Sequence, residues 1–251
     1  MTPAGPQVAG ILLVDKPSDK RVSSFRVVGA VKRRVIAAGA PKSVKVGHAG
    51  TLDPLASGLL IILIGRDATR LCNSLMADEK EYETRIDLAH ASQTDDYEGP
   101  LEPNPPPLPP TSTPTRADIE RVLAVFTGTI MQRPPAFSAM KVDGQRAYAQ
   151  ARKGNLLELA ARPVIIHAID LLAYDYPFVD LRIRCGKGTY IRSLARDLGL
   201  GLTGHAGCLA ALRRTAIGAY RIENAIPLDD LPPMLTQADL MKVPRGDEVM
   251  R

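Results

Sequence analysis

Residues 8–14 form an apolar run that stops abruptly at Asp15-Lys16-Pro17, the pattern of a buried strand closed by a turn. Ser23 or Ser24 can then cap a helix reaching about residue 38. Phe25, Val28, Val31 and Val35 give that helix one apolar stripe, and Arg26, Lys32, Arg33 and Arg34 fall largely elsewhere on it. One helix can therefore both pack and present positive charge. Residues 42–58 are rich in glycine and polar groups and predict a loop followed by a short helix. Apolar character returns over residues 59–64 as a strand, and residues 81–88 alternate, with Tyr82, Thr84, Ile86 and Leu88 on one face.

Eight prolines within residues 100–114 exclude a helix or central strand there and predict an extended connection. Thr115 and Asp118 form a capping arrangement for a helix to about Phe126, with Ile119, Val122, Leu123 and Phe126 facing the core. Residues 145–153 predict a short helix ended by Gly154. Strands are expected over 163–172 and 178–185, a helix after the Gly186-Lys187-Gly188-Thr189 turn, and short strands over 209–215 and 219–222. Strands, helices and hairpin-like returns are mixed without regular strand–helix alternation, so the fold class is α+β.

Charge sharpens this picture. Residues 20–45 hold eight basic side chains and no acid, and residues 182–214 hold seven against the single acid Asp197. Two basic patches of this kind suit a polyanion better than an even surface does. Cys72, Cys185 and Cys208 are widely spaced and odd in number, which argues against a disulfide framework and a thiolate metal site. No apolar run is long enough to span a membrane and no leader pattern opens the chain, so a cytoplasmic location is expected.

The segment with most chemistry is Gly47-His48-Ala49-Gly50-Thr51-Leu52-Asp53-Pro54-Leu55-Ala56-Ser57-Gly58. Its glycines permit tight turns, and Pro54 restricts the backbone of Asp53. A carboxylate held this way can be a nucleophile, a base or a ligand, or can simply cap the turn beginning at Pro54.

This segment resembles the GHxGTLDPxAxGxL signature of the bacterial tRNA pseudouridine-55 synthase family. Five further segments resemble that family in the same order: Gly10-Ile11-Leu12-Leu13-Val14-Asp15-Lys16-Pro17, Lys80-Glu81-Tyr82, the stretch from Gln132-Arg133-Pro134-Pro135 to Ser138-Ala139-Met140-Lys141, Lys187-Gly188-Thr189-Tyr190-Ile191-Arg192, and Leu212-Arg213-Arg214-Thr215. The resemblance spans roughly residues 8 to 228. It implies a pseudouridine synthase fold, with a mixed, mainly antiparallel central sheet flanked by helices.

The resemblance also implies roles. Asp53 attacks the target nucleoside while the uracil is detached, rotated and rejoined through carbon. Tyr82 stacks on the base, and Arg192 pairs with Asp53 and orients it. Tyr190 belongs to the pocket wall, His48 lies near the extruded nucleotide, and Lys16 and Leu212 lie near the pocket. The substrate implied is uridine 55 in the T arm of tRNA. No cofactor, metal, membrane or obligate protein partner is implied. A base inside a structured loop must flip out to be reached, and an aromatic ring such as Tyr82 can replace its lost stacking.

The chain departs from the family pattern in three places. The turn after Pro17 is one or two residues longer and lacks its usual glycine. In the stretch 88–99, Ala89, Ser92 and Gln93 stand where relatives carry Gly, Thr and Asp. The expected organisation is a catalytic domain over 8–230 and a short tail over 231–251, too short for the small RNA-binding domain that many relatives add. Two other readings share these motifs: a non-catalytic RNA-binding module on the same fold, and an isomerase for another RNA, such as the guide-directed enzymes of ribosomal RNA.

Overall fold

In the computed structural model, residues 8–106, 113–138, 140–142, 145–146, 150–151, 154 and 159–244 are described. In chain order the elements are β1 (Gly10–Lys16), α1 (Ser24–Ala37), β2 (Val46–Ala49), β3 (Ser57–Ile64), α2 (Arg66–Arg70), α3 (Cys72–Ala77), β4 (Lys80–Asp87), β5 (His90–Ser92), β6 (Leu101–Pro103), α4 (Arg116–Val125) and β7 (Gly128–Gln132). Then come β8 (Lys141–Val142), β9 (Gln145–Arg146), β10 (Arg162–Asp175), β11 (Phe178–Cys185), α5 (Ile191–Thr203), β12 (Cys208–Ile217), β13 (Tyr220–Arg221) and β14 (Ile226–Pro227). The fold is α+β, a mixed and mostly antiparallel sheet flanked by helices. The chain divides into two compact units, one of residues Met1–Asp78 with Arg213–Arg251 and one of Glu79–Leu212.

In the first unit β3 is the central strand. It runs antiparallel to β1 from Gly10↔Ile64 to Lys16↔Gly58 and antiparallel to β2 from Val46↔Ile64 to Ala49↔Ile61. It pairs in parallel with β12 at Arg213↔Ser57 and Arg214↔Gly58. Flanked by strands on both edges, it is buried from Gly58 to Ile64, which explains its unbroken apolar sequence. Ile11, Leu13, Leu59, Ile61, Leu63 and Ile217 make the core of this unit. Residues 231–241, expected as a tail, are packed here: Leu231, Leu235 and Leu240 are buried, and Met241 exchanges backbone hydrogen bonds with Ile11.

In the second unit β7, β10, β11 and β4 follow one another antiparallel. Ile86, Leu181, Ile183, Leu194 and Leu198 share its core, so α5 lies on the sheet. The capping box of Thr115 and Asp118 forms as expected.

Three expectations need correction. The stretch 42–58 is not a loop plus helix: it contains strand β2, and Pro54 and Leu55 form a turn closed by the Ala56 N–H donating to the Asp53 carbonyl at 3.1 Å. Only four residues long and glycine-containing, β2 is stabilised by its partner β3 rather than by its own pattern. Phe25 does not join the apolar stripe of α1. It is 80% exposed, and Val27 is buried beside Val28, Val31 and Val35. Gln145 and Arg146 are not helical but pair with Val142 and Lys141. The rest of that expected helix falls largely outside the described residues.

Candidate active site

Asp53 lies on the loop that joins β2 to β3, and long-range anchors fix its course. At its entry, the Ser24 hydroxyl donates to the Leu52 carbonyl at 3.0 Å and accepts the Leu52 N–H at 2.9 Å. Ser24 can do this because Ser23, not Ser24, caps the helix, accepting the Arg26 N–H. At its exit stands Lys16, wholly buried at the end of β1. Its ammonium donates to the carbonyls of Pro17, Pro54 and Ala56 at 2.9, 2.7 and 2.7 Å. Three donors meet three acceptors, which is all an ammonium can offer. Burial pulls the Lys16 pKa down to about 8, opposed by the nearby charges of Asp19 and Asp53.

A second buried cation holds the same loop. Arg214 is 2% exposed on β12. Its guanidinium donates to Leu59 O at 2.8 Å and to Gly50 O at 3.0 Å, one carbonyl on each side of Asp53. Gly50 and Gly58 both have positive φ, 86° and 101°. A Cβ on Gly58 would come within 2.3 Å of the Arg214 carbonyl oxygen, so only glycine fits. The anchoring roles of Ser24, which the sequence offers only as an alternative helix cap, and of Arg214 are not legible in the sequence, because their partners lie far along the chain. The one hint was the position of Arg214 within the Leu212-Arg213-Arg214-Thr215 match.

His48 sits on β2, paired with Ile62. Desolvation, with help from the Arg214 charge, lowers its pKa, so the ring is neutral near pH 7. Its Nδ1 is buried without a hydrogen-bond partner among the described residues. The lengthened turn after Pro17 is held by Asp19, which binds the Arg21 backbone and guanidinium, and by the Ser18 hydroxyl donating to Leu55 O at 2.6 Å.

The remaining site residues belong to the second unit. Tyr82 is half-buried on β4 opposite Ile183 and packs against the core. Leu212, at the end of this unit, packs against the same cluster. Tyr190 precedes α5, and Gln132 clasps its backbone: Tyr190 N–H donates to Oε1 at 2.8 Å and Nε2 donates to Tyr190 O at 3.1 Å. The Arg162 guanidinium lies 5.5 Å from the centre of the Tyr190 ring, a cation–π contact.

Arg192, in the first turn of α5, is 6% exposed. It donates to Thr94 O at 3.0 Å and Phe137 O at 2.9 Å, with Asp96 at 3.6 Å. The loop 92–99, where the sequence departs from its relatives, is thus the floor on which Arg192 rests. Ser92, Thr94 and Asp96 hold it internally: Thr94 Oγ1 donates to Asp96 Oδ1 at 2.6 Å and accepts the Gly99 N–H at 3.0 Å. Asp95 has φ +58° and pairs with Arg196 at 3.0 Å. Burial raises its pKa to about 6, with Arg196 and Arg192 pulling the other way.

A family model described as TruB family pseudouridylate synthase (N terminal domain) matches residues 34–191. The chain belongs to the TruB family of pseudouridylate synthases. It is accordingly an isomerase that forms pseudouridine. Among its relatives, a tRNA pseudouridine synthase B of Corynebacterium aurimucosum is 44% identical over 229 residues, covering 89% of this chain and 72% of that protein. One of Phocaeicola vulgatus is 40% identical over 233 residues, covering 93% and 96%. Among solved structures, one of a Cbf5–Nop10–Gar1 complex matches with a TM-score of 0.64 and 30% identity. It covers 88% of this chain, which spans about half, 53%, of that one. Among the described residues no group of three or more His, Cys, Asp or Glu side chains could hold a metal, and no helix is long and apolar enough to cross a membrane.

Proposed function

We propose that this enzyme isomerises uridine 55 in the T loop of tRNA to pseudouridine, with Asp53 as the nucleophile. The observation that carries the reading is the Asp53 loop itself. Two buried cations and a buried serine hold the carbonyls of Gly50, Leu52, Pro54, Ala56 and Leu59 and the N–H of Leu52. Such preorganisation fixes a reacting group in the geometry that catalysis needs. The substrate class is supported by relatives of 40–44% identity that bear the name tRNA pseudouridine synthase B, against 30% for the Cbf5 chain. That difference favours tRNA over a guide-directed target, and the basic patches suit either RNA.

In this reading the uridine flips out and Tyr82 stacks on its uracil. The bond from N1 to C1′ of the ribose breaks, the uracil turns, and a bond from C5 to C1′ forms. C5 releases its proton and N1 acquires one, so the net change is an isomerisation. Asp53 supplies the carboxylate for the covalent step. Arg192 brings a guanidinium whose pose is fixed by Thr94 and Phe137. His48 brings a neutral ring near the extruded nucleotide, while Tyr190 and Leu212 line the substrate pocket. Lys16 acts through the loop, since all three of its N–H groups are engaged there. We place the enzyme in the cytoplasm, a reducing setting that suits three free cysteines.

Release of tritium from uracil C5-labelled tRNA tests this reading. The parent protein releases tritium from tRNA carrying U55 and not from tRNA with cytidine there, and Asp53→Asn releases none while still binding the RNA. Comparable kcat for Asp53→Asn and the parent removes Asp53 as nucleophile. Release that persists without U55 assigns the reaction to another uridine.

A further inference from the structure

Phe25 is the one phenylalanine of four that is exposed, at 80%, in a chain without tryptophan; Phe126, Phe137 and Phe178 are all partly buried. Burying a Phe ring stabilises a fold by about 1.5–3 kcal/mol, and here that gain is forgone on a helix whose Val27, Val28, Val31 and Val35 are buried. A single exposed ring is common on protein surfaces. Its setting distinguishes this one.

The neighbouring residue, Ser24, is buried and bonded in both directions to Leu52, the residue before Asp53. Phe25 and Asp53 are therefore each one residue away from the same rigid contact. With about 3.8 Å between successive Cα atoms, their backbones are on the order of 10 Å apart. The chain on either side of Phe25 is basic. Lys20, Arg21 and Arg26, close to it in the chain, are exposed, and the first turn of α1 holds no acid. Arg26 donates to Arg21 O at 2.9 Å, which ties the basic turn to the helix start beside the ring. The carboxylate of Asp19, in the same turn, is engaged by Arg21. An exposed aromatic side chain in a basic segment is the composition that binds single-stranded nucleic acid: the cations take phosphates and the ring takes a base.

We infer that Phe25 is a stacking platform for an unpaired nucleobase of the RNA loop, a neighbour of the uridine that Asp53 attacks. This rests on the function proposed above and adds a second aromatic contact, in the same unit as Asp53, to the one expected of Tyr82. A flat ring accepts any base, so the contact positions the loop rather than reading its sequence.

The absence of tryptophan makes the test direct. In Phe25→Trp the indole is the only tryptophan in the protein, and stacking on a base quenches its fluorescence. A T-arm hairpin should quench it, and a hairpin lacking the contacted base should not. Phe25→Ala should raise KM and the Kd for the hairpin roughly tenfold, with the loss falling on KM rather than kcat, and Phe25→Trp should restore both. An unchanged Kd in Phe25→Ala, or equal quenching by hairpins abasic at every loop position, overturns the inference. So does a change in sedimentation, rather than in RNA affinity, on Phe25→Ala, because the ring would then serve contact between protein chains. If the parent modifies a uridine other than 55, the proposed target is wrong, and the quenching experiment repeated on that RNA still decides the role of Phe25.

Discussion

Arg214 and Gly58 face each other in parallel register so closely that a Cβ on Gly58 would lie 2.3 Å from the Arg214 carbonyl oxygen and 2.7 Å from its nitrogen. The guanidinium of the same arginine holds Gly50 and Leu59. One residue of β12 therefore fastens both ends of the loop that carries Asp53.

Gly58→Ala should be costly in a way that separates contact from conformation. Gly58 has φ +101° and is crowded by Arg214 backbone, whereas Gly128 has φ +97° and open space, with nothing within 4 Å of where a Cβ would stand. Gly128→Ala suffers only backbone strain, about 1–3 kcal/mol. Gly58→Ala suffers that strain and must also push β3 from β12, so its urea midpoint should fall further and kcat should fall with it. Equal urea midpoints for the two variants would show that the close approach is dispensable.

Lys16→Met should lower stability by about 2–3 kcal/mol at neutral pH, since it leaves three carbonyls unpaired in a buried place. The pH dependence has a definite sign. With a folded pKa of about 8 against an ordinary 10.5, ionised Lys16 costs stability below about pH 8, and that cost disappears as pH rises towards 10.5. The parent should therefore gain stability relative to Lys16→Met between about pH 8 and 10. Urea unfolding of both proteins across that interval measures the difference, and a constant gap would refute the assignment.

Asp95 should act in the opposite direction. Burial raises its pKa from 3.8 to about 6, so its contribution is fully present below pH 3.8 and is lost as pH climbs through 6. Asp95→Asn keeps a side chain that tolerates the left-handed backbone at φ +58° and removes the titration. The stability of the parent minus that of the variant should fall between about pH 4 and 7. A difference that rises over that interval would mean that the Arg196 ion pair outweighs burial.

Tyr82→Phe should keep RNA affinity and, by losing the phenol that the family resemblance implies as a proton shuttle, slow the chemical step, whereas Tyr82→Ala should lose about 1–3 kcal/mol of stacking as well. Single-turnover rates and hairpin Kd values separate the two effects. Wild-type values for both in the Ala variant would take Tyr82 out of the site.

The sequence alone determined the elements whose information is local. Strands β1, β3, β4 and β11 declare themselves by apolar runs or alternation, and the starts of α1 and α4 by the Ser23-Ser24 pair and Thr115. The Gly47–Gly58 segment and five companion motifs marked the family and named Asp53 as the residue to watch. Only the tertiary structure decided what lies between distant parts of the chain. Strand β2 has no strand pattern of its own and exists because β3 offers it an edge. Phe25 follows the helical stripe in sequence yet faces solvent, because the orientation of a first helical turn is set by where the Ser24–Leu52 contact anchors it. Arg214 reaches carbonyls 155 and 164 residues earlier in the chain. A hydrogen bond of that separation leaves no trace in any local window, since the partner's backbone carbonyl is the same at every residue.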